Sequence, residues 1–273
     1  MTQLANEIDR EDESWELTFA IFDWVNESLE QLPNPYLTDY LQFYCDKNNR
    51  LYRKTDVGLQ FVPEGLSGYI NSLQEQEDVF SVFLVSATDS LAQEKIQQIV
   101  TNNRCFAFSC MVLIGEVNNA YTTQQIPFTN MIVRCDSSES ALVDLQALCA
   151  IMVRTGPVCI DISDLSYGYC RAGRVSKVFH SSMCSALDSE GLALSSLAEL
   201  KETYPQVFEH GVESGLVIVR VSLDASIFCG NLFMELIESE GFITADSSWF
   251  WGVLMDPSLT DNQASFVLYF IED

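Results

Sequence analysis

The residue types in this chain that could hold a metal or attack a substrate are its nine cysteines and two histidines, His180 and His210. A zinc site needs closely spaced cysteine or histidine ligands, and the sequence has no Cys-x-x-Cys pair. Most cysteines lie inside apolar runs, where a free cysteine behaves as a small core residue. A serine hydrolase would need a Gly-x-Ser-x-Gly turn, which is also missing. His180 is therefore not predicted to serve a nucleophile, and its apolar neighbours Val178 and Phe179 predict that it lies at the end of a strand. The sequence predicts neither a metal site nor a nucleophilic centre.

The turn with the right position to bind phosphate is residues 87–92, Ala-Thr-Asp-Ser-Leu-Ala, between a predicted strand and a predicted helix. Asp89 or Ser90 is expected to cap that helix. A backbone approaches phosphates closely only where glycines leave room, and this turn contains none. The Gly-x-Gly-x-x-Gly fingerprint of dinucleotide-binding proteins is therefore absent.

The charge of the chain excludes some classes of partner. It has 14 basic and 39 acidic residues, and a formal net charge of −25. A surface of this sign repels phosphate backbones and anionic lipids, so we expect no nucleic-acid partner and no direct membrane binding. The odd cysteine count and the acidic N-terminal residues 1–14, which do not resemble an export signal, indicate the reducing cytoplasm.

The order of predicted elements indicates two domains. Strands at Val79–Ser86, Cys105–Ile114 and Phe128–Arg134 alternate with helices near 89–102 and 136–154, which predicts a doubly wound, mostly parallel sheet. After Pro157 the chain changes to an α+β pattern with a mixed sheet. We predict strands at 174–179, 216–221, 250–255 and 266–271, and helices near 182–200 and 229–240. The predicted division is an acidic leader (1–14), an α/β domain ending in a central helix (15–156) and an α+β domain (157–273).

Two local patterns are harder to interpret. From Trp15 to Leu32 apolar residues recur at helical spacing, although Leu17–Phe22 could begin as a strand. Near the C-terminus, apolar runs at Trp249–Met255 and Ser265–Ile271 flank a turn containing Pro257. This pattern predicts a β-hairpin.

Several segments resemble the FtsZ/tubulin-like family in order and spacing. Residues 149–165 are similar to the segment that ends the family's central helix and opens its synergy loop, with Arg154, Gly156, Asp161 and Asp164 on matching positions. Residues 130–136 and 215–221, and the Asp-Pro at positions 256 and 257, are similar to three further family segments. The resemblance implies the family's GTPase-type fold. Because the sequence ends at Asp273, directly after the last predicted strand, we expect no tail of the kind by which family members reach membrane adaptors.

The family's phosphate-binding loop is the main departure. The resemblance places Thr88, Asp89 and Ser90 where the family has a glycine-rich loop, and Asp89 brings a negative charge to the expected triphosphate position. Repulsion across about 4 Å amounts to a few kcal/mol at an intermediate dielectric. Glu139 is the helical carboxylate nearest the expected guanine contact. The resemblance therefore implies a degenerate site, with no cofactor expected and GTP binding and hydrolysis disfavoured.

Asp161 and Asp164 have two interpretations. As ordinary loop residues, Asp164 caps a helix over Leu165–Ala172 and Asp161 is a solvated acid. The resemblance implies instead that both acids contact the GTP of a neighbouring subunit and position a water there. Arg171 and Arg174 would then complete a partner-binding face.

Our first hypothesis is a non-enzymatic FtsZ-like regulatory protein that binds a filament-forming FtsZ/tubulin-like partner through this face and modulates polymerisation or cell division. One alternative is an unconventional GTP-binding protein that forms polymers. Another is a structural scaffold that assembles as a homodimer.

Overall fold

Parallel strands make up the centre of the molecule. The structure, a computed structural model, describes residues 18–25, 43–55, 57–63, 65, 68, 79–89, 92–102, 108–115, 129–153, 157–158, 160–161, 164–165, 175–223, 229–260 and 262–272. Six of its strands pair in parallel, in the spatial order β2-β1-β5-β6-β7-β8. They are β1 (Thr18–Asp23), β2 (Phe43–Cys45), β5 (Val79–Ser86), β6 (Phe108–Ile114), β7 (Met131–Cys135) and β8 (Val175–His180).

Antiparallel strands extend the sheet at both ends. The hairpin of β3 (Leu51–Thr55) and β4 (Gly58–Val62) continues it beyond β2. At the other end β8 pairs with β12 (Gln263–Glu272), which pairs with β10 (Val212–Val221). β11 (Ile243–Met255) lies parallel to β10, and the short β9 (Cys184–Ser185) pairs with β12. The described strands thus form one continuous sheet. The pairing of β7 with β8 joins the two sides of the predicted domain boundary at residue 156, and the division into domains stays a prediction.

Helices cover both faces of the parallel strands. α1 (Ala92–Asn102) packs on one face through Ile96, against Phe83 and Met111. α2 (Ser138–Val153) packs on the other face, where Leu145 and Leu148 contact the core. Every residue of β6 and nearly every residue of β5 is buried, because a strand covered on both faces has no solvent side.

The central helix α2 joins the two halves of the sheet. Its cluster of buried residues includes Val82 and Val112 from the parallel strands, and also Ile218 and Tyr269 from β10 and β12. The opposite face of the C-terminal strands is covered by α3 (Ser189–Thr203), α4 (Val207–His210) and α5 (Cys229–Ser239). This doubly wound sheet, joined through a central helix to a mixed α+β part, confirms the predicted fold class. No described helix has the length and apolar character needed to cross a membrane.

The helical interpretation of the first apolar run is wrong where the structure describes it, since Thr18–Asp23 is a strand. Phe19 and Ile21 face the core on one side of the sheet, and Ala20 and Phe22 face the core on the other. A strand buried on both faces shows no polar alternation, so its aromatic spacing resembled that of a helix. The acidic leader, residues 1–14, lies outside the described residues.

The predicted C-terminal hairpin is also wrong, because β10 lies between β11 and β12. The connecting turn passes over the end of β10, where Asp256 N donates to Val221 O (2.8 Å) and Ser222 N donates to Gln263 O (2.9 Å). Turn residues predict that the chain reverses, but they do not determine whether a strand lies in the gap of about 10 Å that two strand spacings leave.

Candidate functional site

The carboxyl ends of the parallel strands meet at one edge of the sheet. Ser86, Ile114 and Cys135 end β5, β6 and β7, and they lie side by side in the strand register. Open α/β sheets bind ligands at this edge, where the strand order reverses. After β1 the chain moves to β2 on one side, and it returns to β5 on the other side of β1. The switch point therefore lies between β1 and β5.

Trp24 occupies this switch point. Its backbone N–H donates to Leu84 O (3.0 Å), so the pairing of β1 with β5 continues past the end of β1. The indole packs against Phe83, with ring centroids 5.8 Å apart, and Lys95 of α1 lies 5.4 Å from the indole centroid. The side chain thus lies between Phe83 of β5 and Lys95 of α1. In nucleotide-binding α/β proteins a phosphate meets the helix N-terminus at this place.

The turn after β1 is built on a carboxylate rather than on glycine. Asp23 is fully buried, and its Oδ1 accepts from Val25 N (3.0 Å) while its Oδ2 accepts from the Tyr44 hydroxyl (3.2 Å). Burial, and then the Asp23 charge, raises the pKa of Tyr44, so its phenol remains a donor. An aspartate that accepts from the backbone N–H two positions on stabilises a tight turn, so this turn forms without a glycine.

The turn after β5 is closed by its own side chains. The hydroxyls of Ser86 and Thr88 lie 2.9 Å apart, and Asp89 N donates to Ser86 O (3.0 Å). Asp89 is half-buried at the same edge of the sheet as Asp23. Carboxylates therefore lie on both sides of the switch point, and Lys95 lies beside Trp24 at the same place.

The second predicted site, Asp161 and Asp164, is a reciprocal helix cap. Asp164 N donates to Asp161 Oδ1 (2.9 Å), and Asp161 N donates to Asp164 Oδ2 (3.1 Å). This is the arrangement of a capping box, in which each of two residues three apart satisfies the other's backbone N–H. Asp161 therefore takes the N-cap position and Asp164 bonds back to it, while the helix predicted over Leu165–Ala172 lies outside the described residues beyond Leu165.

The structure anchors this loop on the C-terminal sheet. Val253 N in β11 donates to Val158 O (3.0 Å). Ile160 is buried, and Gly252 of β11 leaves the space that its side chain fills. Asp161 itself is exposed and Asp164 is half-buried, so the cap lies at the surface above a rigid support.

A polar cluster around Asp144 was missed by the sequence interpretation. Asp144, on α2, accepts from the Cys135 thiol (3.3 Å) and lies 2.9 Å from His180 Nε2, and its backbone oxygen accepts from the Tyr269 hydroxyl. The carboxylate lies between thiol and imidazole, so the imidazole does not activate the thiol. Burial, followed by the Asp144 charge, raises the pKa of Cys135, which keeps the thiol protonated. Through these contacts the cluster connects α2 to β7, β8 and β12. No local sequence pattern identifies it, because its members lie far apart in sequence.

A partly buried ion pair, in which the carboxylate is buried and the guanidinium is half-buried, stabilises the end of β10. Arg220 donates from Nε (2.9 Å) and from Nη2 (2.6 Å) to Asp256 Oδ2. The other oxygen, Oδ1, accepts from Ser258 N (2.9 Å) and from its hydroxyl (2.5 Å). Burial alone would raise the pKa of Asp256, but the hydrogen bonds from Ser258 and Arg220 outweigh it and lower the pKa. The Asp-Pro turn is therefore held by a charged contact to the neighbouring strand.

Solved structures of similar fold were found. A dimer of FtsZ from M. jannaschii, described as empty, matches with a TM-score of 0.53 and 12% identity over 75% of this chain and 66% of that chain. The fold is FtsZ-like. A mutant of the same FtsZ matches with a TM-score of 0.54 and 12% identity, over 74% of this chain and 68% of that one.

TubZ from Bacillus thuringiensis serovar israelensis, in GDP-form protofilaments, gives a TM-score of 0.48 at 14% identity, over 75% of this chain and 70% of that chain. No protein-family model and no curated protein matches the sequence. The chain spans about two thirds of the length of the M. jannaschii FtsZ chains.

Within this FtsZ-like fold the predicted site residues fall at two places. Thr88, Asp89 and the first turn of α2, which contains Glu139, lie at the carboxyl edge of the sheet; Asp161 and Asp164 lie at the helix cap beside β11. Ser90, the side chain of Glu139, Arg171 and Arg174 lie outside the described residues. Among the residues that are described, no group of three or more metal-ligating side chains comes together.

Proposed function

We propose that this chain is a non-enzymatic, FtsZ-like interaction protein of the cytoplasm that binds a filament-forming FtsZ-like partner and modulates its polymerisation. The observation that carries the proposal is Trp24. Its backbone joins β1 to β5 across the switch point, and its indole packs on Phe83 with Lys95 of α1 over the ring. A triphosphate placed there would have to displace a packed aromatic ring and would meet Asp89. We therefore assign the chain no GTPase activity of its own.

The cap formed by Asp161 and Asp164 is the proposed partner-binding face. Asp161 is exposed and Asp164 is half-buried, and the loop that carries them is held by Ile160 and by the hydrogen bond between Val253 and Val158. Such a support lets a short acidic loop meet a partner without losing much conformational freedom. Arg171 and Arg174, which lie outside the described residues, are proposed to belong to the same face. A protein that offers this face but holds no nucleotide would dock on a filament and would not extend it.

Replacing both acids with asparagine tests the face without removing the cap. Asparagine is as good an N-cap as aspartate, so Asp161→Asn/Asp164→Asn should keep the fold and lose only the two charges. We expect wild-type protein to change the light scattering and GTP turnover of polymerising FtsZ from the same cell. The variant should need about fivefold more protein for the same effect, as expected when interface charges are removed.

The matched control lies at another helix start. Asp188 is the N-cap of α3, where it accepts from Gly191 N (2.9 Å), and Glu190 is in the first turn. Asp188→Asn/Glu190→Gln therefore removes the same charge from an equivalent cap and should leave the filament effect unchanged. If wild-type protein changes neither readout, or if both double variants weaken it equally, the proposed face is wrong.

The two alternative functions give different results in the same preparation. A GTP-binding polymer former would scatter light by itself when GTP is added. A homodimeric scaffold would sediment as a dimer and leave FtsZ filaments unaffected. Our proposal expects neither result.

A further inference from the structure

The start of α3 exposes a group of apolar side chains. Met183, Leu187 and Leu194 are 60%, 76% and 48% exposed. They fall within residues 183–194, and no other stretch of this length in the described part of the chain exposes three large apolar side chains. Single exposed apolar residues are normal on a protein surface, whereas a group of them marks a place of interaction. We call these three residues the α3 patch.

The chain that precedes α3 lies along the side of the helix. Ser182 N donates to Glu199 Oε2 (2.8 Å), and Cys184 Sγ lies 3.8 Å from Ser195 Oγ. Met183, between these two contacts, is therefore placed beside the helix. The backbone groups inside an α-helix bond to one another, so this surface can recognise a partner only through its side chains.

Leu187 is not used by its own helix. It directly precedes the N-cap, Asp188, and a residue at that position often packs against the fourth residue of the helix, here Leu192. Leu192 is buried in the core below α3, but Leu187 remains 76% exposed. The packing of α3 is thus complete without Leu187, and fold stability does not account for a leucine there.

The surroundings of the α3 patch are acidic. Residues 182–203 contain four acidic residues and one lysine, so one minus four leaves a charge of −3. The lysine, Lys201, bonds to Glu240 (2.5 Å). Neither Asp188 nor Glu190, the acids closest in sequence to Leu187, forms an ion pair with another described residue. Their negative charge therefore remains available to a partner.

We propose that the α3 patch binds a basic amphipathic helix of a second partner protein, distinct from the filament partner. The apolar face of that helix contacts the three exposed side chains, and its lysines or arginines lie opposite Asp188 and Glu190. The net charge of −25 attracts a basic segment as well, so the local charge and the overall charge select the same occupant. Nucleic acid and anionic lipid are repelled by both charges, and a second copy of this chain would bring two acidic surfaces together.

The test uses the full chain and a fluorescein-labelled peptide of leucine and lysine, about 18 residues long so that it can form a helix. Its leucines recur at helical spacing on one face. One control peptide has the same composition with the leucines distributed around the helix, and another has glutamate in place of lysine. We expect the first peptide to bind about tenfold more tightly than either control in fluorescence anisotropy, with an affinity that falls as salt is added.

Two serine variants test the apolar part of the surface. Leu187→Ser/Leu194→Ser should weaken binding of the amphipathic peptide about tenfold. Val57→Ser/Phe61→Ser replaces two apolar side chains that are also exposed, in the hairpin of β3 and β4, and should change binding less than twofold. Circular dichroism checks that both variants are folded.

Two charge variants test the acidic part. Asp188→Asn/Glu190→Gln should weaken binding about fivefold and reduce its salt dependence. Glu94→Gln/Asp136→Asn makes the same charge change at exposed acids of the N-terminal half and should have less than a twofold effect. Since Asp188→Asn/Glu190→Gln is expected to leave the filament effect unchanged, a failure here is distinguishable from a failure of the filament proposal.

Four results would each overturn the proposal: no binding at about 1 mM peptide, where interactions of a few kcal/mol remain measurable; equal binding of the peptide with distributed leucines; equal losses in the two serine variants; or equal losses in the two charge variants. Self-association that Leu187→Ser/Leu194→Ser abolishes would identify a second copy as the occupant instead. Binding to phosphatidylcholine vesicles that the same variant abolishes would identify a lipid surface.

Discussion

Arg220→Met should lower the free energy of unfolding by about 3 kcal/mol at pH 7, because it leaves the buried Asp256 carboxylate without its cation. Methionine keeps the length of the side chain, so little packing is lost. The Ser258 hydrogen bonds remain and limit the loss. For a chain of this size we expect a decrease of about 6 to 10 °C in the melting temperature, measured by calorimetry.

Two controls separate the buried charge from ordinary surface effects. Lys201→Met breaks the exposed pair with Glu240 (2.5 Å) and should cost less than about 1 kcal/mol. Arg220→Met/Asp256→Asn removes the uncompensated charge and should recover more than half of the loss. A double variant as unstable as the single one would contradict the charge argument and indicate lost packing instead.

The pH dependence of the same pair has a definite sign. The folded-state pKa of Asp256 is lowered from its ordinary 3.8, so its stabilisation is present above about pH 4 and is lost as the pH falls further. In Arg220→Met the unpaired carboxylate is destabilised by burial, and its protonation relieves that cost. The stability difference between wild type and variant should therefore shrink as the pH is lowered from 5 towards about 3. A difference that stays constant over this range would contradict the assignment.

Gly252→Val should destabilise the protein by about 3 kcal/mol, because the site is already filled. A Cβ at this position would lie 2.7 Å from Ile151 Cδ1 and from Ile160 Cδ1 and Cγ1. Ile151 belongs to the central helix, and Ile160 precedes the cap at Asp161. Valine must therefore push the helix or the cap loop away from β11. Denaturant unfolding measures the stability loss, and the filament assay should show a weaker effect at equal concentration.

A double variant tests the geometry at Gly252. Ile160→Ala alone leaves a cavity and should cost about 2 to 4 kcal/mol. Combined with Gly252→Val, the smaller side chain makes room for the added methyl groups. The double variant should therefore lose less stability than the sum of the losses of the two single variants. Strict additivity would mean that the side chains do not meet as described.

Buried strands were the features that the sequence predicted well. Val79–Ser86 is a strand over its whole predicted length, because eight consecutive strand-forming residues have no helical alternative at that spacing. The central helix was predicted within two residues at each described end. At Thr18–Asp23 the sequence favours a helix over a strand, since residues buried on both faces carry no periodic signal. The place of β10 between β11 and β12 could not be predicted from turn chemistry, which is local.

The sequence predicted the candidate site only through the positions at which it departs from the FtsZ/tubulin-like pattern. The missing glycines after β1 and β5 are visible in the sequence, but the role of Trp24 is not, because an aromatic residue after a strand usually belongs to the core. The acids at positions 161 and 164 were identified as a pair, yet their mutual hydrogen bonds depend on the backbone conformation of the loop. The cluster around Asp144 joins residues from four separate elements and has no sequence signal.

The central claim is that Trp24 and the acidic turns leave no room for a guanine nucleotide at the switch point. A thermal-shift titration with GTP and magnesium tests it directly. A ligand at 100 times its dissociation constant stabilises the folded state by about 2.7 kcal/mol, which corresponds to an increase of about 5 to 10 °C in melting temperature. We expect a shift below about 1 °C at 1 mM GTP, equal to that given by ATP. A saturable shift of several degrees that is specific for guanine nucleotides would contradict the account.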